Sequence, residues 1–142
     1  MKAYPDTSFL FSLYLRDSNA RSALAVAEKL RPVFVLSPLH DLELNNAIEL
    51  AVFRKAITAR QAVAARNDFE QDVAHWTLNP LPIDVFGRAV ALARRHTACH
   101  GTHSLDILHV SAAMALGAEA FLTFDRRQRR LAKAEGLRVL PR

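Results

Sequence analysis

Residues 104–130, SLDILHVSAAMALGAEAFLTFDRRQRR, limit the possible folds more than any other stretch of this chain. They read as a helix over 105–116, a left-handed stop at Gly117 and a buried strand over 119–124. Asp125 then opens another helix over 126–134, with Gln128 in the capping-box position. A helix that turns straight back into a strand of a parallel sheet runs antiparallel to it. Its N-terminus therefore lies at the strand's carboxyl end. Asp106 in the first helical turn and Asp125 just past the strand are thus expected at one edge.

The remaining segments alternate in the same way. Residues 2–5 form a short candidate strand with Pro5 at its end, because proline cannot donate to a ladder. A first helix is expected over 7–15, a turn at Asp17-Ser18-Asn19, and an Ala-rich helix over 20–30. Residues 33–36 are a short apolar, β-rich run, read as a buried strand. Ser37-Pro38 starts a helix reaching about residue 54. Thr58 and Gln61 make a capping box for a helix over 59–74. Residues 76–82 form a break with two prolines and room for a short edge strand. A helix over 83–97, a loop at 100–102 and a closing strand over 137–140 complete the pattern. Strands alternating with helices imply an α/β fold with a parallel sheet covered on both faces. The 142 residues suit one domain spanning 1–142, with no repeat or linker.

Composition narrows the setting. Cys99 is the only cysteine, which excludes an internal disulfide framework and fits a reducing, cytoplasmic compartment. The N-terminal apolar run at 9–15 is too short for a membrane span, and Asp6 ahead of it argues against a signal peptide. The net charge of +5 is compatible with nucleic acid or an acidic partner but selects neither.

Two more acids are expected beside Asp106 and Asp125. Asp6 directly follows the first strand. Glu43 lies in the second turn of the helix after residues 33–36, about 7 Å from the same edge, with Leu39 and Ala47 on its row. Open α/β sheets bind ligands at this edge. Crowded carboxylates repel one another unless a cation is present, and hard oxygen donors suit Mg²⁺ or Mn²⁺. Each acid also has a plainer reading: Asp6 and Asp125 as helix caps, Asp106 as a complement to the helix dipole. Glu43 is the hardest to explain that way. The shared edge, rather than any single residue, makes the case for a site, and it does not choose a reaction.

Other residues are candidates for supporting roles. Ser8 and Thr123 offer hydroxyls beside Asp6 and Asp125. Arg126, Arg127, Arg129 and Arg130 form either a solvated face or a phosphate-contact surface. His103, near Asp106, could touch a substrate phosphate. His109, three residues after Asp106, reads as a satisfied, semi-buried side chain. His96, Cys99, His100 and His103 have a zinc-like spacing, but Gly101 interrupts it and no second cysteine is near. The stripes at 20–30 and 59–74 read as core before dimer interface.

Asp6-Thr7-Ser8, Glu43-Leu44-Asn45-Asn46-Ala47, Leu105-Asp106-Ile107-Leu108-His109-Val110, Leu122-Thr123-Phe124-Asp125 and Gly136-Leu137-Arg138-Val139-Leu140 occur in that order across the chain. In these motifs and their spacing the sequence resembles PIN-domain ribonucleases, in particular the VapC-type toxins of bacterial type II toxin–antitoxin pairs. The resemblance implies a three-layer α/β/α fold with a parallel sheet of four or five strands. It implies that Asp6, Glu43, Asp106 and Asp125 bind Mg²⁺ or Mn²⁺ and activate water to cut RNA, with Thr7, Ser8 and Thr123 in support. It further implies a homodimer and a small inhibitory antitoxin. Pro5 and His103 depart from the usual pattern, where an apolar strand residue and an arginine are common.

Two other functions compete with a metal-dependent endoribonuclease. One is a non-catalytic PIN-fold module that binds RNA or a protein. The other is a phosphatase with an aspartate nucleophile, which would want a second aspartate where Ser8 stands.

Overall fold

Four short apolar segments pair side by side in a computed structural model that describes residues 1–76 and 78–141. The elements in chain order are β1 (Lys2–Pro5), α1 (Thr7–Leu15), α2 (Ala20–Leu30), β2 (Val33–Phe34), α3 (Pro38–Phe53), α4 (Ala59–Val73), α5 (Val85–His100), α6 (Ser104–Ala115), β3 (Ala120–Leu122), α7 (Arg126–Ala134) and β4 (Arg138–Leu140). The strand order is β2-β1-β3-β4, and every pairing is parallel. Ala3 faces both Phe34 and Ala120 across the ladders, and Phe121 faces Val139.

Alternation along the central strands divides the core into two layers. Ala3, Ala120 and Leu122 face one side, where they meet Phe9, Leu10, Leu44, Ile48 and Phe69. Tyr4 and Phe121 face the other, against Val85, Leu92, Val110 and Leu131. Helices therefore cover both faces, giving the expected three-layer α/β/α fold. Ala23 of α2 and Ala62, Ala65 and Phe69 of α4 are buried in the first layer, so those stripes are core.

From β1 the chain moves outward to β2, and from β3 it moves outward to β4 on the opposite side. The switch point lies between β1 and β3, where the chain leaving each of these adjacent strands turns to the opposite face of the sheet. Pro5 ends β1, and the next residue continues the ladder, the Asp6 N–H donating to the Leu122 carbonyl at 2.8 Å.

Several boundaries differ from the sequence reading. The run 33–36 contributes only Val33–Phe34 to the sheet, while Leu36 makes an isolated parallel bridge to Leu78. The break at 76–82 thus holds a single bridge in place of an edge strand, and its Thr77 lies outside the described residues. Glu119 precedes β3, and its carboxylate accepts the Lys2 N–H at 2.9 Å. α5 starts two residues late, behind a turn closed by the Val85 N–H on the Pro82 carbonyl, and extends through His100. The expected capping box is present: the Thr58 N–H donates to Gln61 Oε1 and the Gln61 N–H to Thr58 Oγ1. Gly117 takes φ +69° after α6, the conformation that lets the chain turn back into β3. No helix among the described residues is long and apolar enough to cross a membrane.

Candidate active site

Asp6 is fully buried at the switch point. Its Oδ1 caps α1 by accepting the Phe9 N–H at 2.8 Å and also takes the Ser8 hydroxyl at 2.7 Å. Its Oδ2 accepts the Thr123 hydroxyl, 2.5 Å away, from just beyond β3. Among the described residues its hydrogen-bond partners include no lysine or arginine. Burial therefore pushes its pKa up to about 6, although the hydrogen bonds from Thr123, Ser8 and Phe9 and the charge of His109 pull the other way.

The Thr123 hydroxyl also accepts the Asp125 N–H at 2.9 Å, and Ser8 Oγ accepts the Phe124 N–H at 2.9 Å. Two hydroxyls thus pin the strand end that carries Asp125 to Asp6. Asp125 Oδ1 in turn accepts the N–H groups of Arg127 and Gln128, both at 2.8 Å, and so caps α7. The return half of the expected capping box is missing, because the Gln128 side chain goes elsewhere. Its Nε2 donates to Asp106 Oδ1 at 3.2 Å, while its buried Oε1 has no partner. Gln128 therefore joins the two acids, through its backbone to Asp125 and its side chain to Asp106. Asp106 Oδ2 accepts the His103 N–H at 3.0 Å and caps α6.

Glu43 reaches the same region from α3. Its Oε2 accepts the Thr7 hydroxyl at 2.8 Å and makes a close hydrogen bond with His109 Nε2. Burial raises the Glu43 pKa, but the hydrogen bond and charge of His109 outweigh it, and the carboxyl lies below its ordinary value. His109 is buried, not semi-buried, and its Nδ1 lies 2.9 Å from the Tyr4 hydroxyl. Beside it His40, also buried, accepts the Ser37 N–H at Nδ1 and donates from Nε2 to the Pro5 carbonyl at 2.8 Å. Burial and the neighbouring His109 lower the His40 pKa to about 3, so this ring is neutral.

All four expected acids thus stand on short hydrogen-bonded chains at one edge, with Thr7, Ser8 and Thr123 among them. At the rim, Arg127 Nη1 donates to His103 Nε2 at 3.2 Å, which brings together two of the expected phosphate contacts. Arg126 is exposed beside them. Arg129 is occupied otherwise: its guanidinium holds the carbonyls of Thr123 and Pro141 at 2.8 and 2.7 Å. The zinc-like spacing does not converge, since His96 contacts Glu135 at 2.5 Å and His103 faces Arg127. His40 and His109 were not expected in the site. A histidine within an apolar helix signals core, and the one available clue was the one-turn spacing from Asp106 to His109.

Among the described residues, no three His, Cys, Asp or Glu side chains stand close enough to form a ready-made metal shell. The donor chemistry nevertheless suits a hard cation. Asp6 carries a buried charge with no basic side chain bonded to it, and among the described residues Glu43 Oε1 and Asp125 Oδ2 accept no hydrogen bond.

Among solved structures, the chain is similar to VapBC2 from Rickettsia felis bound to a DNA fragment from their promoter. The TM-score is 0.67 at 17% identity, covering 99% of this chain and 98% of that one. It is likewise similar to FitAcB from Neisseria gonorrhoeae, with a TM-score of 0.68 at 18% identity, covering 98% and 96%. At these identities the likeness speaks for the fold. No curated protein matches the sequence. The PIN domain family model matches residues 3–134, a span that includes Asp6, Glu43, Asp106 and Asp125. The chain belongs to the PIN domain family.

Proposed function

We propose that this chain, as one PIN unit over 1–142, is a divalent-metal-dependent endoribonuclease and the toxin of a toxin–antitoxin pair. The observation that carries the reading is Asp6: a buried carboxylate at the switch point, held by hydroxyls and a backbone N–H, with no basic side chain bonded to it. Such a group is stabilised by a cation.

Asp6, Asp106 and Asp125 would hold Mg²⁺ or Mn²⁺. When bound, the ion polarises a phosphate and lowers the pKa of water. Glu43 completes the shell or takes the proton of the attacking water through its unoccupied Oε1. Thr123 and Ser8 keep Asp6 and the Asp125 segment together. Gln128 fixes Asp106 relative to Asp125. Arg126, Arg127 and His103 at the rim would meet the RNA backbone. Purified protein with Mn²⁺ or Mg²⁺ and structured RNAs tests the reading: cleavage should require the metal and stop with Asp6→Asn.

The likeness to VapBC2, which was crystallised as a pair on promoter DNA, supports a small antitoxin partner. A homodimer and a cytoplasmic setting belong to the same reading.

The missing ready-made shell favours the second reading, a PIN-fold module that binds RNA or protein without cutting it. It predicts RNA binding that survives a chelator and weakens steeply with salt.

A further inference from the structure

We propose that His109 is a positioning residue, which holds the Glu43 carboxylate in its working orientation through a Tyr4–His109–Glu43 hydrogen-bonded chain. The inference rests on the nuclease reading and adds to it a residue outside the acidic quartet.

The direction of the chain follows from donor chemistry. An ionised carboxylate only accepts, so His109 Nε2 must carry the hydrogen that faces Glu43 Oε2. Nδ1 makes the second hydrogen bond of the ring, with the Tyr4 hydroxyl 2.9 Å away. The ring has little room to turn. Tyr4 lies 5.7 Å from it edge-on and His40 5.3 Å away, and His40 is itself fixed by Ser37 and the Pro5 carbonyl.

The two buried histidines differ in what they hold. His40 gives its N–H to a backbone carbonyl, as a structural histidine does. His109 gives its N–H to a carboxylate of the site. With Thr7 it loads both hydrogen bonds onto Oε2 and leaves Oε1 for water or metal. The Glu43 side chain is 19% exposed against 1% for His109, so the chain runs from core to opening. His109 also sits one helical turn after Asp106, so it ties the orientation of Glu43 on α3 to the helix that carries Asp106.

Two polar variants separate position from packing. In His109→Gln the amide nitrogen falls near the place of Nε2, and in His109→Asn near that of Nδ1. Turnover and KM for RNA are measured in the folded variants, together with binding of Mn²⁺ alone by calorimetry. His109→Asn should lower kcat and Mn²⁺ affinity roughly 10–100-fold, with KM for RNA little changed. His109→Gln should stay within a few-fold of the parent. If both variants fall together, or neither falls, the proposal is overturned. If His109→Asn does not fold, Tyr4→Phe is read in the same way: a few-fold loss in kcat and Mn²⁺ affinity supports the chain, and unchanged values overturn it. A parent protein that neither binds Mn²⁺ nor cuts RNA removes the nuclease reading itself and the proposal with it. A working parent with an indifferent His109→Asn removes only the proposal.

Discussion

The acids of the site fall into two pairs that are held in opposite ways. Asp106 and Asp125 each accept an N–H from the start of their own helix, and Asp106 takes the Gln128 amide as well. They stabilise the fold whether or not a ligand arrives. Asp6 and Glu43 are gripped chiefly by side chains from distant segments: Thr123 for Asp6, Thr7 and His109 for Glu43. Asp6 also caps α1, yet its burial makes the charged form unfavourable. The outer pair therefore gives little sign of function when stability alone is considered, whereas the inner pair needs another explanation.

The sharpest attempt to break this contrast is the removal of the inner charge. Asp6→Asn should abolish RNA cleavage in Mn²⁺ while the fold survives, as judged by circular dichroism. Cleavage at the parent rate would show that the buried acid is only a cap.

The next test uses pH. Folding raises the Asp6 pKa from 3.8 to about 6, so between those values the folded protein binds more protons than the unfolded chain. Its contribution to stability is then fully present below about pH 4, falls as pH rises, and levels off above about pH 6, a change of ~3 kcal/mol. Without metal, the stability of Asp6→Asn relative to the parent should rise by that amount from pH 4 to 7, and Mn²⁺ should shrink the gain. Denaturant melts of both proteins measure it, and a difference flat in pH refutes it.

For the outer pair, Asp125→Ser keeps a capping oxygen and Asp125→Ala does not. Both should lose cleavage, but only the alanine variant should lose ~1 kcal/mol of stability beyond the serine one. Cleavage preserved in Asp125→Ser would reduce Asp125 to a cap.

The smallest effects lie at the rim. Arg127→Ala should weaken RNA binding and reduce the salt slope by about 1, with little change in melting temperature. Arg129→Ala should lower the melting temperature and leave the slope alone, because Arg129 holds the Thr123 and Pro141 carbonyls. Titrations at several salt concentrations distinguish the two.

Much of the fold could be read from local chemistry. Gly117, Thr58 with Gln61, and Asp125 act within a few residues of themselves, and each stands in its expected backbone role. What escaped depends on partners far along the chain. The contact of His109 with Glu43 spans 66 residues, and nothing in LDILHVSAA announces it. Gln128 stands in the capping-box position after Asp125, and only the nearness of Asp106 in space draws its amide away. The strand over 33–36 was overlong for a related reason: where the chain leaves the sheet is set by its pairing with Leu78.

The Asp6–Thr123 hydrogen bond joins residues 117 positions apart. During synthesis Asp6 emerges early, but its clamp cannot close until β3 and the strand end behind it have left the ribosome and docked beside β1. Nearly every helix has been made by then. A growing chain therefore carries an incomplete site, and Asp6 meets Thr123 and the Asp125 segment only when the long-range β1–β3 pairing forms.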